Sequence, residues 1–253
     1  MKLARHLLVA VLLAGVSAPV CAAPAMVAAA VAAPDRPESA RKLDADRKPV
    51  EVLNFLGLKK GDRAVELMAG SGYYAELIGK AVGPKGAVVA LEPPGFLTDK
   101  GRAAWAELRT RTPNVLLQAQ MPGDTSLAPR SLDFALMHLT YHDLYWESEQ
   151  YKFPRIDPAV FLGKLYAAMK PGGVVGVVDH VAEAGGDTRK VADALHRIDP
   201  EVIKADFKAA GFVLEAESDL LRMPADDHSK LVFDPTIRGK TDRVVYRFRK
   251  PAA

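Results

Sequence analysis

Residues Val65 to Gly72 read Val-Glu-Leu-Met-Ala-Gly-Ser-Gly, an apolar run carrying one acid and ending in a glycine-spaced turn. A buried strand that leaves through Gly70-Ser71-Gly72 into a helix has few conformations open to it. Glycine admits positive φ, and the helix start presents backbone N–H groups with no Cβ to hold a ligand away. A second acid, Glu92, lies twenty positions beyond Gly72 and closes another apolar run, Ala87 to Glu92. An acid at the end of that second strand can accept both hydroxyls of a ribose.

The alternation continues along the chain. Asp46 and Pro49 open a short helix with Val52, Leu53 and Leu56 on one face, and Gly57 ends it. Arg63 to Leu67 reads as the first strand. Tyr74, Leu77, Ile78, Ala81 and Val82 then recur at i, i+3, i+4, i+7 and i+8, one apolar helix face. A helix is predicted over Asp99 to Arg109, with strands over Asn114 to Leu117 and Leu132 to Met137. Asp157-Pro158 caps a further helix, Lys170-Pro171-Gly172-Gly173 stops it, and Val174 to Asp179 is a fully buried strand. Asp199-Pro200 opens a helix that closes at Gly211. Two strands, Phe212 to Glu217 and Arg243 to Phe248, finish the chain without a crossover helix between them, which predicts an antiparallel pair. Strands alternating with helices imply a parallel sheet covered on both faces.

The N-terminus predicts an export signal. Lys2 and Arg5 precede an unbroken apolar stretch from Leu7 to Val16 and the small residues around Ala22. The organisation read from this is a signal peptide over 1–22, an Ala/Pro-rich tether over 23–40 and one domain over 41–253. The expected location after cleavage is periplasmic or secreted. The apolar core is shorter than the roughly 20 residues that span a bilayer, so no stable membrane insertion is expected. Cys21, the single cysteine, leaves with the leader. The formal charge of +3 loses Lys2 and Arg5, and the nearly neutral remainder does not predict nucleic acid as a partner.

The ordering of elements, with the glycine turn after the first strand and Lys-Pro-Gly-Gly before the fifth, resembles the class I methyltransferases that use S-adenosylmethionine, over about Val50 to Lys250. More narrowly, Asp46-Arg47-Lys48-Pro49, Tyr141-His142-Asp143, Asp179-His180, His196-Arg197-Ile198-Asp199 and Pro224 to His228 resemble an exported bacterial branch of predicted methyltransferases. The resemblance implies an α/β, Rossmann-like sheet, mostly parallel with a C-terminal antiparallel strand pair and helices on both faces. It implies S-adenosylmethionine as cofactor and a small-molecule acceptor. It puts Glu66 at the acid opening the glycine motif, and Gly70 and Gly72 at its later glycines. Met68, Ala69 and Ser71 complete the loop, Glu92 is the ribose acid, Gln120 and Met121 lie around the adenine, and His138 borders the cofactor. Met68 and Ala69 stand where that family often has glycine and a variable residue, which predicts a turn with fewer permitted backbone angles.

Ligands of open α/β sheets bind at the carboxyl ends of the strands, where this chain carries His138, His142 and His180. Methyl transfer to an alcohol, amine or acidic carbon needs a base, and His142 and His180 are the predicted ones, with Asp179 or Asp143 to orient an imidazole. No metal is assigned. Two other functions fit the residues: an exported protein that binds a nucleoside-type ligand without chemistry, and a metal-dependent hydrolase using His138, His142 and His180. The dense aromatics of Tyr145 to Phe153 and the long excursion from Arg222 to Asp242 predict two walls of a substrate pocket.

Overall fold

The structure is a computed structural model that describes residues 25–252. The predicted signal peptide and Cys21 lie outside the described residues. The elements run α1 (Ala25–Val31), α2 (Glu38–Arg41), α3 (Asp44–Arg47), α4 (Pro49–Leu56), β1 (Arg63–Leu67), α5 (Tyr73–Val82), β2 (Ala87–Glu92), α6 (Asp99–Arg111), β3 (Val115–Ala119), β4 (Leu132–His138), α7 (Pro158–Ala168), β5 (Met169–His180), α8 (Thr188–Leu195), α9 (Pro200–Ala209), β6 (Val213–Ser218) and β7 (Arg243–Arg249).

One seven-stranded sheet has the order β3-β2-β1-β4-β5-β7-β6. Its first five strands are parallel, and β7 inserts antiparallel between β5 and β6. Strand order reverses between β1 and β4, and a crevice opens at such a switch point, outside the strand ends. Successive side chains alternate in direction along each strand and feed two cores. Ala64, Val88, Phe134 and Val178 pack beneath α1, α4, α5 and α6. Val65, Leu91, Met137 and Val177 pack beneath α7 and α9 with Phe161, Ile203 and Phe207.

Two segments differ from the sequence expectation. The stretch read as a tether is helical at Ala25–Val31, and Val27 and Ala30 are buried in the first core. Arg36 then pins it, donating to Val31 O at 2.6 Å and pairing with Asp44, whose Oδ1 accepts from Tyr73 Oη at 2.6 Å. An alanine-rich composition favours helix as readily as linker, and the docking face decides. Lys170 to Gly173, expected as a turn before the fifth strand, lies inside β5. Pairing jumps from Leu132↔Met169 to Phe134↔Val174, and the extra residues bulge while Gly172 N and Gly173 O bond the Lys250 backbone.

Gly72 N-caps α5 at φ +79°, and a Cβ there would lie 2.6 Å from Leu108 Cδ1 and 2.7 Å from Trp105 Cη2. Gly70, at φ +55°, would point its Cβ into open space. Gly70→Ala should therefore cost only backbone strain, about 1 kcal/mol, whereas Gly72→Ala adds overpacking and should cost about 2–4 kcal/mol. Chemical denaturation of the two variants checks this, and equal losses would refute the packing argument.

Candidate active site

The turn after β1 is built on three left-handed residues, Met68 (φ +53°), Gly70 and Gly72. Met68 adopts the left-handed angle that glycine would take, one open to it only at a cost in strain of roughly 1–2 kcal/mol. Its side chain is buried with Val65, Leu67 and Leu91, which offsets the strain. Ala69 N–H donates to Leu91 O at 2.9 Å, and Trp105 Nε1–H donates to Gly70 O at 3.1 Å. Gly70 N–H donates to Glu92 Oε2 at 2.7 Å, so the two parts of the sequence motif meet. Gly70 and Ser71 are exposed at the rim.

Burial raises the Glu92 carboxyl to about 7, against the Gly70 N–H bond and with the Asp143 charge adding to the rise. Burial raises Glu66 further, to about 8. Glu66 Oε2, Gln120 Oε1 and His138 Nε2 are buried without a hydrogen-bond partner among the described residues. Unpaired buried polar atoms are rare in folded proteins, and here three belong to residues predicted to hold the cofactor. Met121 instead packs half-buried against the second core.

The predicted histidine rim divides. His138 leaves β4 toward α5 and packs against Tyr74, with ring centroids 4.6 Å apart and planes tilted by 49°. Burial, together with Arg47 and Arg243, holds it well below the usual imidazole range. His142 sits in a short 3-10 turn beyond β4 and is held by Asp179, which is fully buried. Asp179 Oδ2 accepts from His142 N–H at 2.9 Å, and Oδ1 lies 2.8 Å from His142 Nδ1. Burial alone would lower His142, but the charges of Asp179 and Asp143 outweigh it and carry the imidazole to about 9. His180, one residue on from Asp179, leaves β5 on the other side from it and has its Nδ1 2.7 Å from Thr241 Oγ1, yet its ring lies 5.9 Å from that of His142 and borders the same cavity. Burial drives it down to about 3.

Sequence reasoning assigned no role to His196. It ends α8 in a left-handed conformation (φ +50°), and its Nδ1 lies 3.3 Å from His142 Nε2 and 3.6 Å from Asp143 Oδ1. These groups border a cavity of about 480 Å³ lined also by Phe96, Trp146, Tyr151 and Phe233. Both predicted walls reach it. The aromatic loop contributes Trp146 and Tyr151, and its Tyr151 carbonyl approaches Gly95 so closely that no Cβ would fit there. The 222–242 excursion is anchored by the buried Arg197–Asp226 pair, two bonds of 2.9 and 3.0 Å, and delivers Val232 and Phe233.

A sequence profile of the protein-L-isoaspartate(D-aspartate) O-methyltransferase family matches residues 44–121, the segment holding the glycine turn, Glu92 and Gln120. Among solved structures, an S-adenosylmethionine-dependent methyltransferase from Aquifex aeolicus superposes with a TM-score of 0.58 at 20% identity, over 85% of this chain and 98% of that one. This chain has the S-adenosylmethionine-dependent methyltransferase fold. A phosphoethanolamine N-methyltransferase from Haemonchus contortus, solved with S-adenosyl-L-methionine, matches it at a TM-score of 0.56 and 15% identity, over 82% of this chain and 53% of that one. The [4+2]-cyclase SpnF shares the methyltransferase fold at a TM-score of 0.58 and 18% identity, over 83% and 82%. No curated protein matches by sequence. The profile and the methyltransferase structures support a methyltransferase that uses S-adenosylmethionine, and the cyclase is a reminder that reactions are assigned from sites. Among the described residues no helix is long and apolar enough to cross a membrane.

The raised Glu66 carboxyl has a consequence for stability. Unfolded, it ionises near 4.5, whereas folded it keeps its proton to about 8. Its contribution is therefore greatest below pH 4.5 and is lost as pH rises to 8, on the order of 4 kcal/mol in all. Glu66→Gln should remove that loss, so the variant's stability relative to the parent should rise between pH 5 and 8. Parallel denaturation profiles across this range would contradict it.

Proposed function

We propose that the protein transfers a methyl group from S-adenosylmethionine to a small acceptor bound in the cavity beside His142 and His180. The observation that carries this reading is the meeting of Gly70 N–H and the Glu92 carboxylate at 2.7 Å at the sheet's switch point, next to an exposed Gly70-Ser71 edge. The residues fit the cofactor. Glu92 accepts ribose hydroxyls, the unpartnered Gln120 Oε1 accepts an exocyclic amine, and Gly70 lets a ligand approach the backbone. When bound, S-adenosylmethionine supplies an electrophilic methyl group on a sulfonium. The chain's own task is to align an acceptor and take its proton. Asp179 orients His142, His180 faces the same cavity, and Trp146 and Tyr151 shield it from water. His138 and the Met68 to Ser71 loop complete the donor side in this proposal.

The hydrolase reading loses its ligand set, because no cluster of ligating atoms among the described residues includes His138 or His180. The Lys2, Arg5 and Leu7 to Val16 pattern supports an exported location in this proposal, and fractionation of the producing cell tests it.

Calorimetry with S-adenosylmethionine and its demethylated product should detect binding that Glu92→Ala weakens by at least tenfold. Absence of binding below millimolar concentration, with Glu92→Ala behaving like the parent, would end the methyltransferase reading. The pH dependence is specific. Glu92 must be ionised to accept two hydroxyls and is raised to about 7, so affinity should fall as pH drops below 7, by about tenfold per unit. Glu92→Gln should flatten that profile.

A further inference from the structure

We propose that His142 Nε2, Asp143 Oδ1 and His196 Nδ1 form a binding site for a divalent transition cation of the zinc class, with its remaining coordination position open to the cavity. The three atoms are 3.3, 3.3 and 3.6 Å apart. Bonds of about 2.0–2.1 Å at tetrahedral angles put neighbouring ligand atoms about 3.4 Å apart, whereas right angles would bring them to about 3.0 Å. The observed triangle has the tetrahedral size. Two imidazoles and one carboxylate form a donor set that zinc accepts, and three protein ligands leave one position for a small molecule.

The surroundings support the same assignment. Asp179 lies behind His142 and binds its Nδ1, the carboxylate–histidine arrangement that aims the other ring nitrogen at a metal. His196 is held by packing against Trp146 and Phe233, with centroids 5.5 and 5.0 Å away, and its backbone sits in the left-handed region where histidine is strained. His142 is buried, Asp143 and His196 are partly exposed, and all three line the same cavity. The site shares no residue with the donor side, the Glu66 to Gly72 turn, Glu92 and Gln120, but it engages His142, which the methyl-transfer proposal places beside the acceptor, so the metal would sit in the acceptor cavity.

Zinc chloride titrated into the untagged, chelator-treated protein provides the test, read by calorimetry and by the visible spectrum of the cobalt(II) form. One equivalent should bind at micromolar concentration or tighter, and cobalt should show the intense absorption of four-coordinate geometry. His196→Ala and Asp143→Ala should each weaken binding by more than tenfold. Asp179→Asn should weaken it by about 10- to 100-fold, and His228→Gln should not change it. If His196→Ala fails to fold, Asp143→Asn, at a partly exposed side chain, carries the comparison. Absence of a stoichiometric site, or parent-like affinity in the Asp143 and His196 variants, would overturn the proposal. S-adenosylmethionine binding measured on the metal-free protein separates this failure from that of the methyltransferase reading.

Discussion

The Asp179 carboxylate is the contact on which the acceptor side depends. A fully buried charge is costly unless its lone pairs are used. Asp179 accepts from the backbone N–H of His142 and of His180 and lies against the His142 ring, at 2.9, 2.7 and 2.8 Å. These bonds lock the loop beyond β4, one of the two strands that border the switch point, to the end of the neighbouring β5. They also separate the states of two neighbouring histidines. His142, paired with the carboxylate, is raised to about 9 and acts as base or ligand only once that proton has left, while burial and the His142 charge bring His180 down to about 3 despite Asp179.

The donor side is organised differently. Its parts are local, a turn and neighbouring strand ends, and they are joined by the bonds from Ala69 N–H to Leu91 O and from Gly70 N–H to the Glu92 carboxyl. Trp105 closes the back of the turn through Gly70 O and through its packing against Gly72. The acceptor side instead collects single residues from distant segments. Arg197, buried and shared between the Asp226 carboxylate and the Val181 carbonyl, brings the long excursion before β7 to the end of β5. Arg197 Nε also donates to Lys230 O and Val232 N–H donates to Leu195 O, and these bonds carry Val232 and Phe233 to the cavity.

The alternating sheet was legible because period-two and period-3.6 apolar patterns and their glycine stops agree with the tertiary packing at β1, α5 and β2. The glycine turn and Glu92 were legible because one local motif fixes both. Less could be read where tertiary contact decides. Val27 and Ala30 look like linker residues until α5 is opposite them. Thr188 to Leu195 goes unread as a helix, although Asp187 caps it and Val191, Ala192 and Leu195 fall on one helical face, because the segment is short and mostly polar. His196 stood in a stretch already noticed, but nothing local tells that a left-handed helix end turns its ring toward His142. The division of the histidine rim was partly available, since Asp179 and His180 are consecutive strand residues and must face opposite ways.

The match to residues 44–121 ends where the contiguous half of the molecule ends. Apart from His180 at the end of β5 and His196 at the end of α8, what touches the cavity beyond it comes from loops carried on a sheet whose register they do not set. The two halves therefore answer to different constraints. Change in the donor half is limited by backbone angles and strand pairing, whereas Trp146, Tyr151, Val232 and Phe233 can be exchanged without altering a strand. A lineage built on this scaffold can diversify what it acts upon while leaving its reagent site unchanged, and comparison by overall likeness will register the second far more readily than the first.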